Sequence, residues 1–199
     1  IYVCGASSGN IIILKYDILG NIIWMNTYSS NFRGSDYPTE LMLDNLGNVI
    51  VAGSTSENLY RSDIVLIKCS ETGEFLWSRT FGLNAHENDF VYAMTLDSSN
   101  NIYITGQSEK NNGADCITLK YSTEGERLWY KTFNSNSNLI SMGIGIKIDY
   151  QGNIIVGGQC MNDYNDVLLI KYSPEGDTLW TRFYNAGLND GAIDMVLDD

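Results

Sequence analysis

His86 is the only histidine in a chain of 199 residues, and it stands in the run Asn84-Ala85-His86-Glu87-Asn88-Asp89. An imidazole beside carboxylates is the composition of a general acid–base pair or of half a metal site. A zinc site would need further nitrogen or sulfur ligands, and the sequence offers no second histidine and no repeated cysteine spacing. Glu87 with Asp89, Asp163 with Asp166, and Asp190 carry the oxygens that calcium accepts, yet none lies in a D-x-D-x-D-G loop. These segments read as solvated acidic loops, and no metal, cofactor or catalytic residue is expected. The other chemistry on offer is recognition. Phe32-Arg33, Tyr60-Arg61, Asn111-Asn112 and Tyr164 combine aromatic rings, amides and guanidinium groups, the mixture that interfaces favour. Arg33, Tyr60, Arg61, His86, Asp89, Asn111, Asn112, Tyr164 and Asp190 form the expected ligand-binding set.

What must position them is one phrase that the chain repeats. It reads NIIILKYDILGNIIWMNTY at Asn10–Tyr28, DIVLIKCSETGEFLWSRTF at Asp63–Phe81, DCITLKYSTEGERLWYKTF at Asp115–Phe133 and DVLLIKYSPEGDTLWTRFY at Asp166–Tyr184. Lys15, Lys68, Lys120 and Lys171 each precede a tryptophan by nine residues, and Trp24, Trp77, Trp129 and Trp180 follow one another at steps of 53, 52 and 51. A period near fifty residues denotes a repeat architecture. Features present in every copy belong to that architecture. The lysines are expected to lay their stems on apolar surface and to meet turn acids such as Asp17, Glu71, Glu124 and Glu175. Asp63, Asp115 and Asp166, with Asn10 in the first copy, read as side chains that bond local backbone. The tryptophans read as equivalent buried anchors, each sharing a strand face with the aromatic residue four positions on.

One complete unit runs from Tyr37 to Phe81. Tyr37–Asp44 and Val49–Gly53 alternate or concentrate β-branched residues and are joined by a Gly-Asn turn, which supplies positive φ. A polar loop is expected over Ser54–Ser62, then a strand over Asp63–Cys69, a Gly-centred turn, and a last strand over Phe75–Phe81. Contiguous runs such as IVLI predict strands buried on both faces, and no i, i+3, i+4 stripe predicts a helix. The expected fold is all-β, a β-propeller built from four repeats of about fifty residues with four antiparallel strands each. Strand alternation puts two sets of connections at one end of every sheet. These are the second-to-third-strand loops Ala6–Gly9, Ser54–Ser62, Gln107–Ala114 and Gln159–Asn165, and the inter-blade segments Ser29–Asp36, Gly82–Asn88, Asn134–Ser141 and Asn185–Gly191. The opposite end should carry uniform Gly turns. Variable loops on a rigid scaffold are where binding sites lie.

The run Asp-apolar-apolar-apolar-apolar-Lys-Tyr, then x-x-Gly-x-x-Leu-Trp, preceded by Gly-Asn and an apolar strand, resembles the SBBP-type β-propeller repeat and, more distantly, the Trp-bearing blades of quinoprotein propellers. The resemblance covers essentially the whole chain and speaks to fold; no set of residues matches the quinoprotein cofactor site. It implies a single propeller domain over 1–199, with blades at approximately 192–199 plus 1–28, 37–81, 89–133 and 142–184. Asp194–Asp199 matches the first strand of a blade and Ile1–Gly5 the second, so the two ends could complete one blade. A closed four-bladed ring and an arc of a larger propeller both fit that reading, as does pairing with further blades of a parent chain or with a second copy.

Twelve basic and twenty-four acidic side chains give a net charge of −12, which repels polyanions, so neither nucleic acid nor anionic lipid is an expected partner. No apolar run approaches the ~20 residues of a membrane-spanning helix. Four cysteines at four different repeat positions read as free thiols, with Cys4–Cys160 the one pairing to check. The function expected from these features is a non-catalytic module, part of a larger surface or secreted protein, that binds a protein or glycan through its long-loop face. A polysaccharide lyase or hydrolase and a structural spacer are the alternatives.

Overall fold

Two turn chemistries set the ends of the strands. In the first, an aspartate begins a five-residue turn ending in asparagine. Asp44 Oδ1 accepts the N–H groups of Leu46 and Asn48 at 2.9 and 2.8 Å, and its Oδ2 accepts the Asn48 amide at 2.8 Å. Asp17, Asp97 and Asp149 repeat this pattern. In the second, a serine hydroxyl accepts the N–H four residues on, from Ser70 to Glu74, Ser122 to Glu126 and Ser173 to Asp177. The fourth residue is left-handed in both, which glycine enters without a Cβ clash; Asn100, at φ 62°, takes that place in one copy.

The computed structural model describes the chain outside residues 31–33, 59–60, 84–86, 135–138, 162–164, 193 and 199, and outside the side chains of 57 and 58. The described residues form strands and no helix. The strands are β1 (Tyr2–Ser7), β2 (Asn10–Tyr16), β3 (Ile22–Tyr28), β4 (Asp36–Leu43), β5 (Val49–Asn58), β6 (Arg61–Cys69), β7 (Phe75–Phe81), β8 (Asp89–Leu96), β9 (Ile102–Lys110), β10 (Gly113–Tyr121), β11 (Arg127–Phe133), β12 (Ser141–Ile148), β13 (Ile154–Met161), β14 (Asn165–Tyr172) and β15 (Thr178–Tyr184). They make four antiparallel sheets in simple sequential order, β1–β3, β4–β7, β8–β11 and β12–β15. The first sheet has three strands: β1 pairs with β2 as a second strand does, Tyr2 opposite Lys15 just as Ile50 stands opposite Lys68. The segment 194–198 forms no strand; Met195 lies against Gly145 and Gly157 of the fourth sheet.

The hairpins reach further than the polar sequence suggests. Ser54–Ser56 pairs with Ser62–Ile64 in the β5–β6 ladder, where Ser54–Ser62 was expected to be a loop. Likewise β9 and β10 run on to leave only Asn111 and Asn112 between them. Ladder bonds do not require apolar side chains once one end of the hairpin is anchored in a core, so serine, threonine and glutamine continue it.

Contacts divide the chain into two units, 1–90 and 91–199, each holding its own core. In the first, Ile11 and Ile13 of β2 meet Val49, Val51, Val65 and Ile67 of the second sheet. In the second, Tyr103 and Cys116 meet Ile146, Ile154, Val156, Leu168, Ile170 and Tyr172. β6 is buried from Asp63 to Cys69 without a break, as the contiguous run predicts. All four cysteines are free, three of them buried and Cys4 half-buried, so the Cys4–Cys160 bridge is not formed. Trp77 is 9% exposed, whereas the other tryptophans are half-buried.

The lysines and tryptophans act together. Each lysine stands directly opposite its tryptophan across the last two strands of its sheet. In the first unit, Trp24 Nε1 and Lys15 Nζ both donate to the carbonyl of Glu71, at 3.1 and 3.2 Å, in the serine turn of the next sheet. In the second, Trp129 Nε1 and Lys120 Nζ do the same to the carbonyl of Pro174, each at 3.1 Å. The turn glycine lies flat on the indole: a Cβ on Gly73 would come within 2.8 Å of Trp24, and one on Gly176 within 3.0 Å of Trp129. Lys15 also pairs with one of the acids named from the sequence, Glu71, at 3.3 Å. Lys68 and Lys171 instead pair within their own sheets, with Asp44 at 3.0 Å and Asp149 at 2.7 Å.

Gly176→Ala should cost about 1–3 kcal/mol, because a Cβ strains both φ and the indole contact. Gly20→Ala shares the positive φ but has open space around it, so about 1 kcal/mol is expected there. Urea unfolding compares the two; equal losses would mean that the indole contact contributes nothing. The acid limb gives a separate check. Burial opposes the Asp149 charge, but the Lys171 ammonium, the Asn153 amide and backbone N–H groups outweigh it and hold the carboxyl at about 2. Asp44 and Asp17 are lowered in the same direction. A folded pKa below the unfolded value, about 3.9, means that this stabilisation is complete above about pH 4 and is lost as pH falls toward 2. Asp149→Asn should flatten the fall in stability over that window, as followed by tryptophan fluorescence.

Candidate functional site

The connections at one end of the sheets are tied together by backbone bonds in both units. In the first, Asp36 N–H donates to Gly9 O at 2.8 Å and Ser56 N–H to Ser35 O at 3.2 Å, so the link between the sheets is bonded to the hairpins before and after it. Ser62 N–H donates to the Asn88 side chain at 2.8 Å. In the second, Ala114 N–H donates to Leu139 O at 3.0 Å, Met161 N–H to Ile140 O at 2.7 Å and Asp190 N–H to Asn165 O at 2.6 Å. Hairpin tips and inter-sheet links thus share one end, as strand alternation requires, and the mutual bonding fixes the backbone from which their side chains project.

Of the expected binding set, Arg33, Tyr60, His86 and Tyr164 lie outside the described residues. Arg61 is in the first unit, where its guanidinium pairs with Asp63 at 3.1 Å. Asn111 and Asn112 are both exposed at the β9–β10 tip, flanked by the Lys110–Asp115 pair. Asp89 is fully buried, and its carboxylate accepts the N–H of Leu83 at 2.8 Å. Asp36 does the same for Ser30 at 2.9 Å, and Asp190 for Ala186 at 2.7 Å. These aspartates close their own links, the carboxylate satisfying an N–H that the turn leaves without a ladder partner. The signal was present in the sequence: Asp36 and Asp89 are 53 residues apart, the Trp24–Trp77 step, with Ser141 and Asp190 at the matching places later. Asp89 and Asp190 are therefore repeat positions rather than singular ones.

The opposite end is less uniform than expected. Ile18 and Leu19, in the turn after β2, are 94% and 82% exposed, and Tyr150 is 93% exposed. The corresponding turns of the second and fourth sheets carry Glu71-Thr72 and Pro174-Glu175 in place of Ile18-Leu19. Among the described residues, no three His, Cys, Asp or Glu side chains gather as they would around a metal ion. The described residues at the link end offer the exposed amides of Asn111 and Asn112, with Asp36, Asp89 and Asp190 engaged by local backbone.

Comparison with known proteins matches the fold. The SBBP beta-propeller repeat matches residues 76–113. An uncharacterized WD repeat-containing protein of Acanthamoeba polyphaga mimivirus is 28% identical over 208 residues, covering 88% of this chain and 14% of that protein. Among solved structures, a polysaccharide lyase, an ulvan lyase bound to GlcA–Rha3S, aligns at a TM-score of 0.56 with 14% identity over 87% of this chain and 48% of its own. The chain thus spans about a seventh of the one relative and about half of the other. Four sequential antiparallel sheets, a fifty-residue period and the SBBP match at 76–113 make this chain a β-propeller repeat protein.

Proposed function

We propose that the chain is a non-catalytic binding module that engages a protein or glycan partner through the end where hairpin tips and inter-sheet links meet. The observation that carries this reading is the mutual backbone bonding of those links, which holds exposed amides such as Asn111 and Asn112 on a fixed frame. A frame that needs no ordering on contact spares the entropy that a free loop would lose. The net charge of −12 favours a neutral or basic partner and makes association sensitive to salt. Further blades of a longer chain would extend the same end, in a surface or secreted protein.

The test is binding to a glycan array and to proteins captured by pull-down, followed through two groups of variants. Asn111→Ala with Asn112→Ala, and Tyr60→Ala with Tyr164→Ala, should weaken binding at least tenfold and leave the melting temperature unchanged. Tyr150→Ser and Glu124→Ala, at the turn end, should do neither. Loss of binding in the second group alone would place the site at the wrong end. Cleavage of a bound polysaccharide would overturn the non-catalytic reading and favour a lyase or hydrolase.

A further inference from the structure

One position of the repeat differs in a way that leaves a hole. The residue after the repeated lysine is Tyr16, Tyr121 and Tyr172 in three copies, but Cys69 in the second. In the second unit, Tyr172 is 2% exposed and packs beside Trp129, their ring centroids 6.3 Å apart, in the core that also includes Phe133. The first unit places Trp24, Tyr28 and Ile67 where the second has Trp129, Phe133 and Ile170. It has no ring in the remaining place. A cavity of about 270 Å³ lies there, lined by Ile13, Asn26, Tyr28, Ile67, Cys69 and Phe75 among others.

The cavity is half-open to solvent, and its lining is mixed: Ile13, Ile67 and the exposed Phe75 are apolar, while Asn26, Thr27 and Ser29 are polar. The Asn26 amide donates to the Gly73 carbonyl and to Cys69 Sγ, and among the described residues its carbonyl oxygen accepts no hydrogen bond. The volume is just below the range of ordinary ligand pockets, about 300–1,000 Å³, and suits a single ring. A half-open pocket of this size, with apolar side chains and a polar wall, suits a small aromatic molecule that carries one polar group.

We propose that this cavity is a binding site for single-ring phenols, compounds that replace the tyrosine side chain absent at Cys69. The ring occupies the space that Tyr172 fills in the second unit, and the phenolic O–H donates to the Asn26 carbonyl. The site is separate from the link end of the sheets and does not rest on the function proposed above.

The test uses p-cresol, the tyrosine side chain as a free molecule, with toluene as the comparator that lacks the hydroxyl. Methyl resonances are followed in the intact protein. Those of Ile13 and Ile67 should move on addition of p-cresol and saturate. That of Ile170, beside the filled position, should not move. Cys69→Phe should fill the cavity, raise the melting temperature and weaken p-cresol at least tenfold, whereas Cys69→Ala should keep binding. Asn26→Val should reduce the preference for p-cresol over toluene. Equal movement of Ile170, undiminished binding to Cys69→Phe, or no saturable binding to the parent protein would each overturn the proposal. Should Cys69→Phe fail to fold, the contrast between Ile67 and Ile170 in the parent protein decides alone.

Discussion

In both units, consecutive sheets are joined by one backbone carbonyl that two side chains share. An indole N–H and an ammonium group reach across to the same oxygen, that of Glu71 in one unit and Pro174 in the other. A carbonyl has two acceptor directions, so both donors are accommodated without competition. The donors face each other across a strand pair, which sets their separation before any contact with the next sheet is made. The turn glycine then lies against the indole with no room for a side chain. Positive φ and close approach thus make the same demand at one residue, and only glycine meets both.

The acid-rich composition is accommodated by the same geometry. Each aspartate turn spends its carboxylate on local N–H groups, and two of these carboxylates also receive the repeated lysine. Pairs formed at the ends of strands keep the ammonium stem on apolar surface while its charge is matched. At the other end, Asp36, Asp89 and Asp190 close the inter-sheet links. Much of the negative charge that looks available for ligands is therefore structural. Among the described residues, the Asn111 and Asn112 amides are exposed at that end, on a hairpin whose backbone is bonded to the neighbouring link.

Repetition also makes departures from the pattern informative. Where three copies carry tyrosine and one carries cysteine, the equivalent neighbours stay in place and a half-open pocket lies beside the cysteine. The exposed Ile18-Leu19 pair is a second such departure, at a turn whose counterparts are polar.

The period, the strands of the core, the turn glycines and the constant spacing of lysine to tryptophan were all legible in the sequence. The period shows by direct comparison of the copies, and the others depend on near neighbours in sequence, the range over which local sterics and side-chain alternation act. Other features depended on residues brought together from distant parts of the chain. The partner of Trp24 lies 47 residues away, and that of Lys15 lies 56 away. The burial of Asp89 and the extension of the β5–β6 ladder through serines likewise follow from what packs beside them. The cavity at Cys69 exists because Trp24, Tyr28 and Ile67 hold positions meant for a ring that is not there. Propensity acts on neighbours in sequence, whereas hydrogen-bond satisfaction and packing act on neighbours in space, and only the folded chain decides which residues those are.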